Sequence, residues 1–263
     1  MCRHLGYVGP SRTLHSLMYA PPYSLEHQSY APRMSATCLV NADGYGVGWY
    51  RDHDEDPGLV PDGLGPVRFR RAQPIWGDVS FAEVARVVTT RCMVAAVRSA
   101  TPGFPVDESC AQPFRAGSML FSHNGRVDDF AGVEGKLREL AGDLATMPDA
   151  RAMVDSALLF ALVVRARRSG AGLGAALAEV VTTVADLSPG RYNLLAADGG
   201  SALAATTWGD TLYVRESPGT AVIVSEPYDD EPGWHAVPDR SLVTADTSAV
   251  TITPLEEAQW SAI

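Results

Sequence analysis

The order of the secondary-structure signals is the feature that most constrains the fold of this chain. Short apolar runs with strand character come in two groups, and a helical middle section separates the groups. Strands that are grouped in this way, rather than alternating with helices, predict an α+β fold with antiparallel sheets. The strand-like runs are residues 38–40, 46–50, 93–97, 119–122, 192–197, 201–207, 211–215 and 221–225.

Turn and helix signals complete this pattern. Asp198-Gly199-Gly200 and Gly209-Asp210 predict tight hairpins between the later strands. The acidic, Gly- and Pro-rich residues 52–66 predict an exposed loop. Helical spacing is found in residues 80–88, where Ser80 and Glu83 form a capping box, in a segment capped by Asp155 or Ser156 that runs to Arg168, and in residues 174–187.

Composition excludes several classes of partner. The 263-residue chain has a formal net charge of -10, so nucleic acid is not expected to bind. Its longest apolar run, Ala157 to Val164, is far shorter than the ~20 residues that span a bilayer, so no membrane partner is expected. The N-terminal residues lack the apolar stretch of a secretory signal, and the four cysteines form no CxxC pair. We therefore expect a cytoplasmic protein with reduced thiols and leave its oligomeric state open.

Cys2 is the strongest candidate for a catalytic residue. Removal of Met1 would leave Cys2 with a free α-amine and a thiol on the same residue. An α-amine has a pKa of roughly 7.7–8.0, so it can act as a general base near neutral pH and activate the thiol beside it. A Met-Cys start alone is weak evidence, since an ordinary cysteine in a frayed terminus fits it equally well.

Three downstream motifs strengthen this interpretation. They are Val97-Arg98-Ser99-Ala100-Thr101, Ser122-His123-Asn124-Gly125 and Val154-Asp155-Ser156, and the first two each follow a predicted strand. Together with Cys2-Arg3-His4, they resemble in order and spacing the class II glutamine amidotransferases, which are N-terminal nucleophile hydrolases. The resemblance implies a four-layer αββα sandwich, with two antiparallel sheets between helical layers, and a single type-2 amidotransferase domain over residues 2–263.

The resemblance also implies a role for each site residue. Cys2 is the nucleophile, and the Asn124 side chain and the Gly125 N–H form the oxyanion hole. Arg98 and Thr101 bind the α-carboxylate of a γ-glutamyl group, and Asp155 pairs with its α-ammonium. The arginine that braces the oxyanion asparagine in many members has no obvious counterpart, so Arg33 or Asn41 is expected to substitute. Read without the resemblance, Arg98 could be a surface charge, Asp155 a helix cap and Asn124-Gly125 a type I′ turn.

The implied substrate is a small-molecule γ-glutamyl conjugate. Segments 2–10, 30–34, 41–50 and 95–103 resemble most closely the ergothioneine-pathway subgroup of the family. In the substrate that this resemblance implies, the leaving portion carries a trimethylammonium group. Aromatic rings suit such a cation, and the available tryptophans are Trp49, Trp76, Trp208 and Trp234. No cofactor is expected, because the six histidines show no metal-binding spacing. A glutaminase subunit that supplies a partner synthase and a non-catalytic binder of γ-glutamyl metabolites remain alternatives.

Overall fold

The computed structural model describes residues 2–35, 40–51 and 65–255. The strands are β1 (Arg3–Thr13), β2 (Tyr45–Trp49), β3 (Val67–Arg71), β4 (Thr89–Val97), β5 (Phe114–Ala116), β6 (Met119–Val127), β7 (Gly190–Asp198), β8 (Ala202–Thr207), β9 (Tyr213–Ser217), β10 (Thr220–Val224), β11 (Trp234–Ala236), β12 (Ser241–Ala245) and β13 (Val250–Pro254). The helices are α1 (Leu14–Met18), α2 (Leu25–Tyr30), α3 (Val79–Val84), α4 (Phe130–Ala141), α5 (Asp155–Arg168) and α6 (Leu173–Leu187).

The described strands form two sheets in which every pair is antiparallel. The seven-stranded sheet has the order β11-β9-β10-β1-β4-β2-β3, and the six-stranded sheet has the order β13-β12-β8-β7-β6-β5. The first strand of the chain therefore lies in the interior of its sheet, paired with β10 on one side and β4 on the other. The predicted α+β class with antiparallel sheets is confirmed.

Side-chain alternation along the strands produces three apolar layers. Leu5 and Tyr7 of β1 point to the outer face of the seven-stranded sheet, where they pack with residues of α1, α2 and α3. On the outer face of the six-stranded sheet, α4, α5 and α6 provide the cover. A third cluster, which includes Val8 and Leu195, fills the space between the sheets. The order of layers is helices, sheet, sheet and helices, so the predicted four-layer αββα sandwich is confirmed.

Two local predictions were wrong in ways that matter for the site. The strand predicted at 119–122 continues to Val127, so the polar residues His123, Asn124 and Gly125 lie inside β6 rather than after it. The turn at Gly209-Asp210 is not a hairpin, because β8 and β9 belong to different sheets and the chain crosses between the sheets there. The Asp198-Gly199-Gly200 hairpin is confirmed, since β7 and β8 are paired neighbours.

Smaller corrections concern the helices and the first loops. The helix predicted at 80–88 is α3, and its cap is the Asp78 side chain, which accepts from the Phe81 N–H at 2.9 Å, so the expected Ser80 capping box is wrong. Helices α1, α2 and α4 were not predicted. Val40 is outside any strand, and the rest of the predicted strand 38–40, like residues 52–64 of the predicted loop, lies outside the described residues. No helix within the described ranges is long and apolar enough to cross a membrane.

Candidate active site

Cys2 lies immediately before β1, where the seven-stranded sheet holds it firmly in place. Its side chain is 9% exposed, and Sγ lies 3.9 Å from the carbonyl oxygen of Ser99. Burial raises the pKa of the Cys2 thiol, while the positive charge of Arg98 lowers it and the carboxylate of Asp155 raises it. The thiol is therefore protonated in this environment, and a nucleophilic role requires a base that removes the proton.

Cys92, a second buried cysteine, allows the surroundings of the Cys2 thiol to be compared with those of a thiol in the apolar core. Cys92 is completely buried in the cluster between the sheets, and desolvation alone raises the pKa of its thiol to about 12. Charged groups from two other elements act on Cys2, whereas no charged neighbour contributes at Cys92. Cys2 therefore has the surroundings of a functional thiol.

Arg98 follows β4 directly, one residue after Val97, which pairs with Arg3 of β1. Its guanidinium is buried, and Nη1 donates to the carbonyl oxygens of Pro105 at 3.0 Å and Asp43 at 3.5 Å. The loop at Asp43 also holds the Arg98 backbone, because the Asp43 N–H donates to the Arg98 carbonyl at 2.9 Å. A surface role for Arg98 is thus wrong, and the charge of this buried guanidinium lowers the pKa of the Cys2 thiol.

The turn after Arg98 carries Thr101 and is held by two hydrogen bonds. The Ala100 N–H donates to Asp43 Oδ2 at 2.8 Å, and the Phe104 N–H donates to the Thr101 carbonyl at 3.0 Å. Thr101 is half-buried. These hydrogen bonds therefore fix the backbone at Thr101, three residues after Arg98.

Asn124 and Gly125 are consecutive residues of β6, so the alternative of a type I′ turn is wrong. Asn124 pairs with Asn193 of β7 and is completely buried on the face that looks toward the seven-stranded sheet. A Cβ atom at Gly125 would overlap the carbonyl oxygen of Arg191. Position 125 therefore accepts only glycine in this backbone geometry.

The N–H groups of alternate β6 residues point to the edge of the strand that faces away from β7. The His123 N–H donates to Oε1 of Gln112 at 2.5 Å, and the Val127 N–H donates to Oδ2 of Asp155 at 2.8 Å. Because backbone direction repeats every second residue, the Gly125 N–H points to the same edge, between these two. An oxyanion donor at Gly125 would thus lie next to the Asp155 carboxylate.

Asp155 is the first residue of α5 and is 5% exposed. The residue at the N-cap position is Val154, so the expectation that Asp155 or Ser156 caps the helix is wrong. Oδ1 of Asp155 accepts from the Ser156 N–H at 2.8 Å, while Oδ2 binds β6 as described above. The carboxylate therefore fixes the start of α5 against the strand that carries Asn124 and Gly125.

The amide of Asn124 is held by a residue that the sequence did not indicate. Asn124 Nδ2 donates to Oγ of Ser225 at 3.4 Å, and Ser225 directly follows β10. The Arg33 guanidinium instead bonds to Asp230, and the Asn41 amide donates to the Gln28 carbonyl. The expected bracing of Asn124 by Arg33 or Asn41 is therefore wrong.

Known proteins of one family are similar to this chain over most of its length. Residues 18–226 match the family profile described as "Glutamine amidotransferases class-II". The chain belongs to the class II glutamine amidotransferases. The chain is 44% identical, over 97% of its length and 100% of the relative's, to the "Gamma-glutamyl-hercynylcysteine sulfoxide hydrolase" of Mycolicibacterium smegmatis. It is 42% identical, over 98% of its length and 99% of the relative's, to the protein of the same name from Mycobacterium tuberculosis.

Solved structures of other class II glutamine amidotransferases share the fold. A class II domain protein from Silicibacter pomeroyi has a TM-score of 0.66 at 20% identity, over 97% of this chain and 99% of that one. The glutamine phosphoribosylpyrophosphate amidotransferase of Bacillus subtilis also has a TM-score of 0.66, at 16% identity over 97% of this chain. That enzyme's chain is covered only to 49%. This amidotransferase chain therefore matches about half of the Bacillus subtilis enzyme's chain.

A buried ion pair anchors the start of β1 in this amidotransferase. The side chains of Arg3 and Glu226 are both fully buried, with 3.7 Å between Nε and Oε2, and Arg3 Nη1 donates to the Cys2 carbonyl at 3.2 Å. The Glu226 carboxylate also accepts from the N–H groups of Arg33 at 3.0 Å and Met34 at 2.9 Å. The pair thus ties the residue next to Cys2 to the loop after α2. Glu226 was not singled out from the sequence, where no local pattern marks it.

Four of the five tryptophans of this amidotransferase lie within the described residues, and these four divide into two groups. Trp208 and Trp234 already face cations of the protein, with Arg240 4.8 Å and Arg215 4.4 Å from the two ring centroids. Trp49 packs against the core beneath α1 and α2, and Trp76 makes an edge contact with Tyr30. Trp76 therefore has the most accessible ring of the four.

His4 is a buried histidine whose pKa departs strongly from its ordinary value. Its ring is buried, and neither ring nitrogen has a hydrogen-bond partner among the described residues. Desolvation, with smaller contributions from His123 and Arg3, lowers the pKa of His4 to about 3. The imidazole is therefore neutral at physiological pH.

This neutral histidine predicts how stability depends on pH. In the unfolded chain His4 has its ordinary pKa near 6.5, so between about pH 6.5 and pH 3 the unfolded state binds a proton that the folded state excludes. Stability should thus fall as the pH falls through this window. We expect the drop in Tm between pH 7 and pH 4.5 to be smaller in His4→Leu than in the wild type.

The matched control is His235→Leu, which removes an exposed histidine from β11. This variant should follow the wild-type pH dependence of Tm. His123 is also buried with a lowered pKa, so some pH dependence should persist in His4→Leu. Parallel Tm curves for the wild type and His4→Leu would contradict the prediction.

Proposed function

We propose that this protein is an N-terminal cysteine amidohydrolase of ergothioneine biosynthesis. It cleaves the γ-glutamyl amide of γ-glutamyl-hercynylcysteine sulfoxide and releases glutamate and hercynylcysteine sulfoxide. The observation that carries the proposal is the 42–44% identity, over nearly the whole chain, to hydrolases named for this substrate. The buried Cys2 thiol beside Arg98 and Asp155 supports the same chemistry.

The proposed catalytic residue is Cys2 after removal of Met1, within one amidotransferase domain over residues 2–263. The free α-amine takes the thiol proton, and the thiolate attacks the γ-carbonyl carbon. Asn124 Nδ2 and the Gly125 N–H stabilise the resulting oxyanion; one such donor is typically worth about 3–4 kcal/mol. Collapse of the tetrahedral intermediate breaks the C–N bond, and the α-ammonium returns its proton to the leaving nitrogen. Water then hydrolyses the γ-glutamyl thioester and regenerates Cys2.

Three residues are proposed to recognise the glutamyl group. The Arg98 guanidinium and the Thr101 hydroxyl bind the α-carboxylate, for which a planar guanidinium provides two parallel donors. The Asp155 carboxylate pairs with the α-ammonium. Support for this assignment comes from the hydrogen bond that Asp155 Oδ2 accepts from the Val127 N–H, two residues along β6 from Gly125. A substrate α-ammonium at Asp155 would thus lie near, but apart from, a carbonyl oxygen at the Gly125 N–H.

The test compares two substrates, the sulfoxide conjugate and free glutamine, with one preparation of enzyme. The sulfoxide conjugate should yield glutamate and hercynylcysteine sulfoxide, detected by mass spectrometry, while free glutamine is hydrolysed far more slowly. Rapid hydrolysis of glutamine that increases when a synthase is added would favour a glutaminase subunit instead. Binding of the conjugate without product would favour a non-catalytic binder.

The proposed role of Arg98 predicts a defect in specificity. Arg98→Lys keeps a positive charge but loses the two parallel donors, so kcat/KM for the γ-glutamyl substrate should fall by about 10–100-fold. Most of this loss should appear in KM, because the contact is present in both ground state and transition state. Steady-state kinetics on the conjugate measures both constants.

The control for this prediction is Arg138→Lys, which changes an exposed arginine of α4 paired with Glu134. It should leave both kinetic constants unchanged. An Arg98→Lys enzyme that discriminates γ-glutamyl amides from amides lacking the α-carboxylate as well as the wild type does would remove Arg98 from the substrate site.

A further inference from the structure

We infer that Ser225 is a positioning residue for the reaction, acting through Asn124. Its hydroxyl group orients the amide that stabilises the oxyanion. The inference rests on the proposed function, since it concerns the same site. It assigns to the residue after β10 a part in catalysis that its sequence context does not indicate.

Ser225 lies where the two sheets meet beside the nucleophile. Its N–H donates to the His4 carbonyl at 3.1 Å, and its Oγ accepts from the His4 N–H at 3.0 Å. These two bonds continue the β1–β10 ladder by one residue, because Leu5 pairs with Val224. Ser225 is thus locked to the strand that begins next to Cys2.

The same hydroxyl oxygen reaches across to the other sheet. It accepts from Asn124 Nδ2 at 3.4 Å, and both residues are completely buried. Residues opposite each other in an antiparallel pair project from the same face, so Ser225 and His4 both point between the sheets. One oxygen atom therefore connects the backbone of β1 with the side chain of Asn124 on β6.

This connection decides which hydrogen of the amide is available for substrate. The Asn124 amide nitrogen carries two hydrogens, and Ser225 accepts one of them. The other stays free to donate to an oxyanion, in an orientation that the first bond fixes. Asn124 Oδ1 is buried and has no partner among the described residues, so no second bond from the described part of the chain holds the amide plane. Loss of the Ser225 hydroxyl would leave this amide free to rotate.

A further hydrogen bond, from Thr211, holds the backbone of Ser225. Thr211 Oγ1 donates to the Ser225 carbonyl at 2.8 Å, and the neighbouring Glu226 carries the ion pair with Arg3. Thr211 lies in the crossing between the sheets, just before β9. Ser225 is therefore a fixed point against which the Asn124 side chain can be aligned.

The test is a double-mutant cycle with Ser225→Ala and Asn124→Ala. Ser225→Ala should lower kcat for the sulfoxide conjugate by about tenfold, with KM changed less than about twofold. In the Asn124→Ala background, the same substitution should cost less than about twofold, because its target is gone. A merely structural role for Ser225 would lower Tm and would leave the two losses additive.

The matched control is Ser122→Ala. Ser122 is equally buried, lies two residues before Asn124 on the same face of β6, and its hydroxyl has no hydrogen-bond partner among the described residues. Its removal should leave kcat within about twofold of the wild type. If Ser225→Ala does not fold, Ser225→Cys retains the side-chain size with a weaker acceptor and should show a smaller loss in kcat of the same kind.

The outcomes separate this inference from the proposed function. A Ser225→Ala or Ser225→Cys enzyme with wild-type kcat, or equal losses with and without Asn124, would overturn the role of Ser225 alone. Failure of the wild type to hydrolyse the conjugate would overturn the proposed function instead. The expected pattern is an active wild type, a slow Ser225→Ala and a Ser122→Ala with a kcat close to that of the wild type.

Discussion

Cys2→Ala is expected to abolish hydrolysis of the γ-glutamyl conjugate while leaving the fold intact. The substitution removes the only atom that can form the thioester, so the rate of glutamate release should fall at least about 10³-fold. The backbone of β1 and the contact of Arg3 with the Cys2 carbonyl do not depend on the sulfur atom. Glutamate release measures the activity, and Tm with far-UV circular dichroism measures the fold.

Cys92→Ala is the matched control for the nucleophile. It removes a buried thiol from the core between the sheets and should keep wild-type turnover, although its Tm should fall. Intact-mass analysis of each preparation shows whether Met1 has been removed. Wild-type turnover in Cys2→Ala, or full activity of a protein that retains Met1, would contradict the proposed mechanism.

The second large effect concerns the oxyanion hole. Asn124→Ala should lower kcat by about 10²–10³-fold, because it deletes a donor directed at charge that develops only in the transition state. KM should change little, since the ground-state carbonyl depends less on this donor. Rapid-quench measurement of glutamate release under single-turnover conditions assigns the loss to the chemical step.

A control for this effect is again Ser122→Ala, which alters the same face of the same strand. Both variants remove a buried polar group from this face, but only Asn124→Ala is expected to lose kcat. An Asn124→Ala enzyme whose kcat is within threefold of the wild type, or whose only defect is in KM, would remove Asn124 from the oxyanion hole.

The apolar strands could be predicted from sequence because side-chain alternation and turn residues leave a local signal. The strand at 46–50 and the four later strands are observed within a few residues of their predicted bounds. The second half of β6 was not predicted as a strand, because the local sequence His123-Asn124-Gly125 is typical of a turn. Their place in a strand depends on pairing with β7, which is about seventy residues away in sequence.

Helix α4 escaped prediction for a related reason. It contains Gly132 and Gly135 and buries only Leu137 and Ala141, so its apolar face is short and its intrinsic helix propensity is low. Packing against α5 stabilises it, and that contact has no local sequence signature.

The site residues form two groups of different predictability. Cys2, Arg98, Asn124, Gly125 and Asp155 occur in short motifs that could be recognised together. Ser225 and Glu226 could not be found in this way, because each acts through a partner more than a hundred positions away in sequence. A single hydroxyl or carboxylate after a strand has no distinguishing pattern until the sheets are assembled.

The interior position of β1 has a practical consequence for producing this protein. β1 is bordered by β10 and β4, and residue 2 directly precedes it within the packed sandwich. A purification tag on the N-terminus would therefore start inside the proposed catalytic centre, and it would also block the α-amine that the proposed mechanism uses. A tag on the C-terminus would follow β13, an outermost strand of the other sheet, so affinity handles, immobilisation linkers and fusion partners belong at that end.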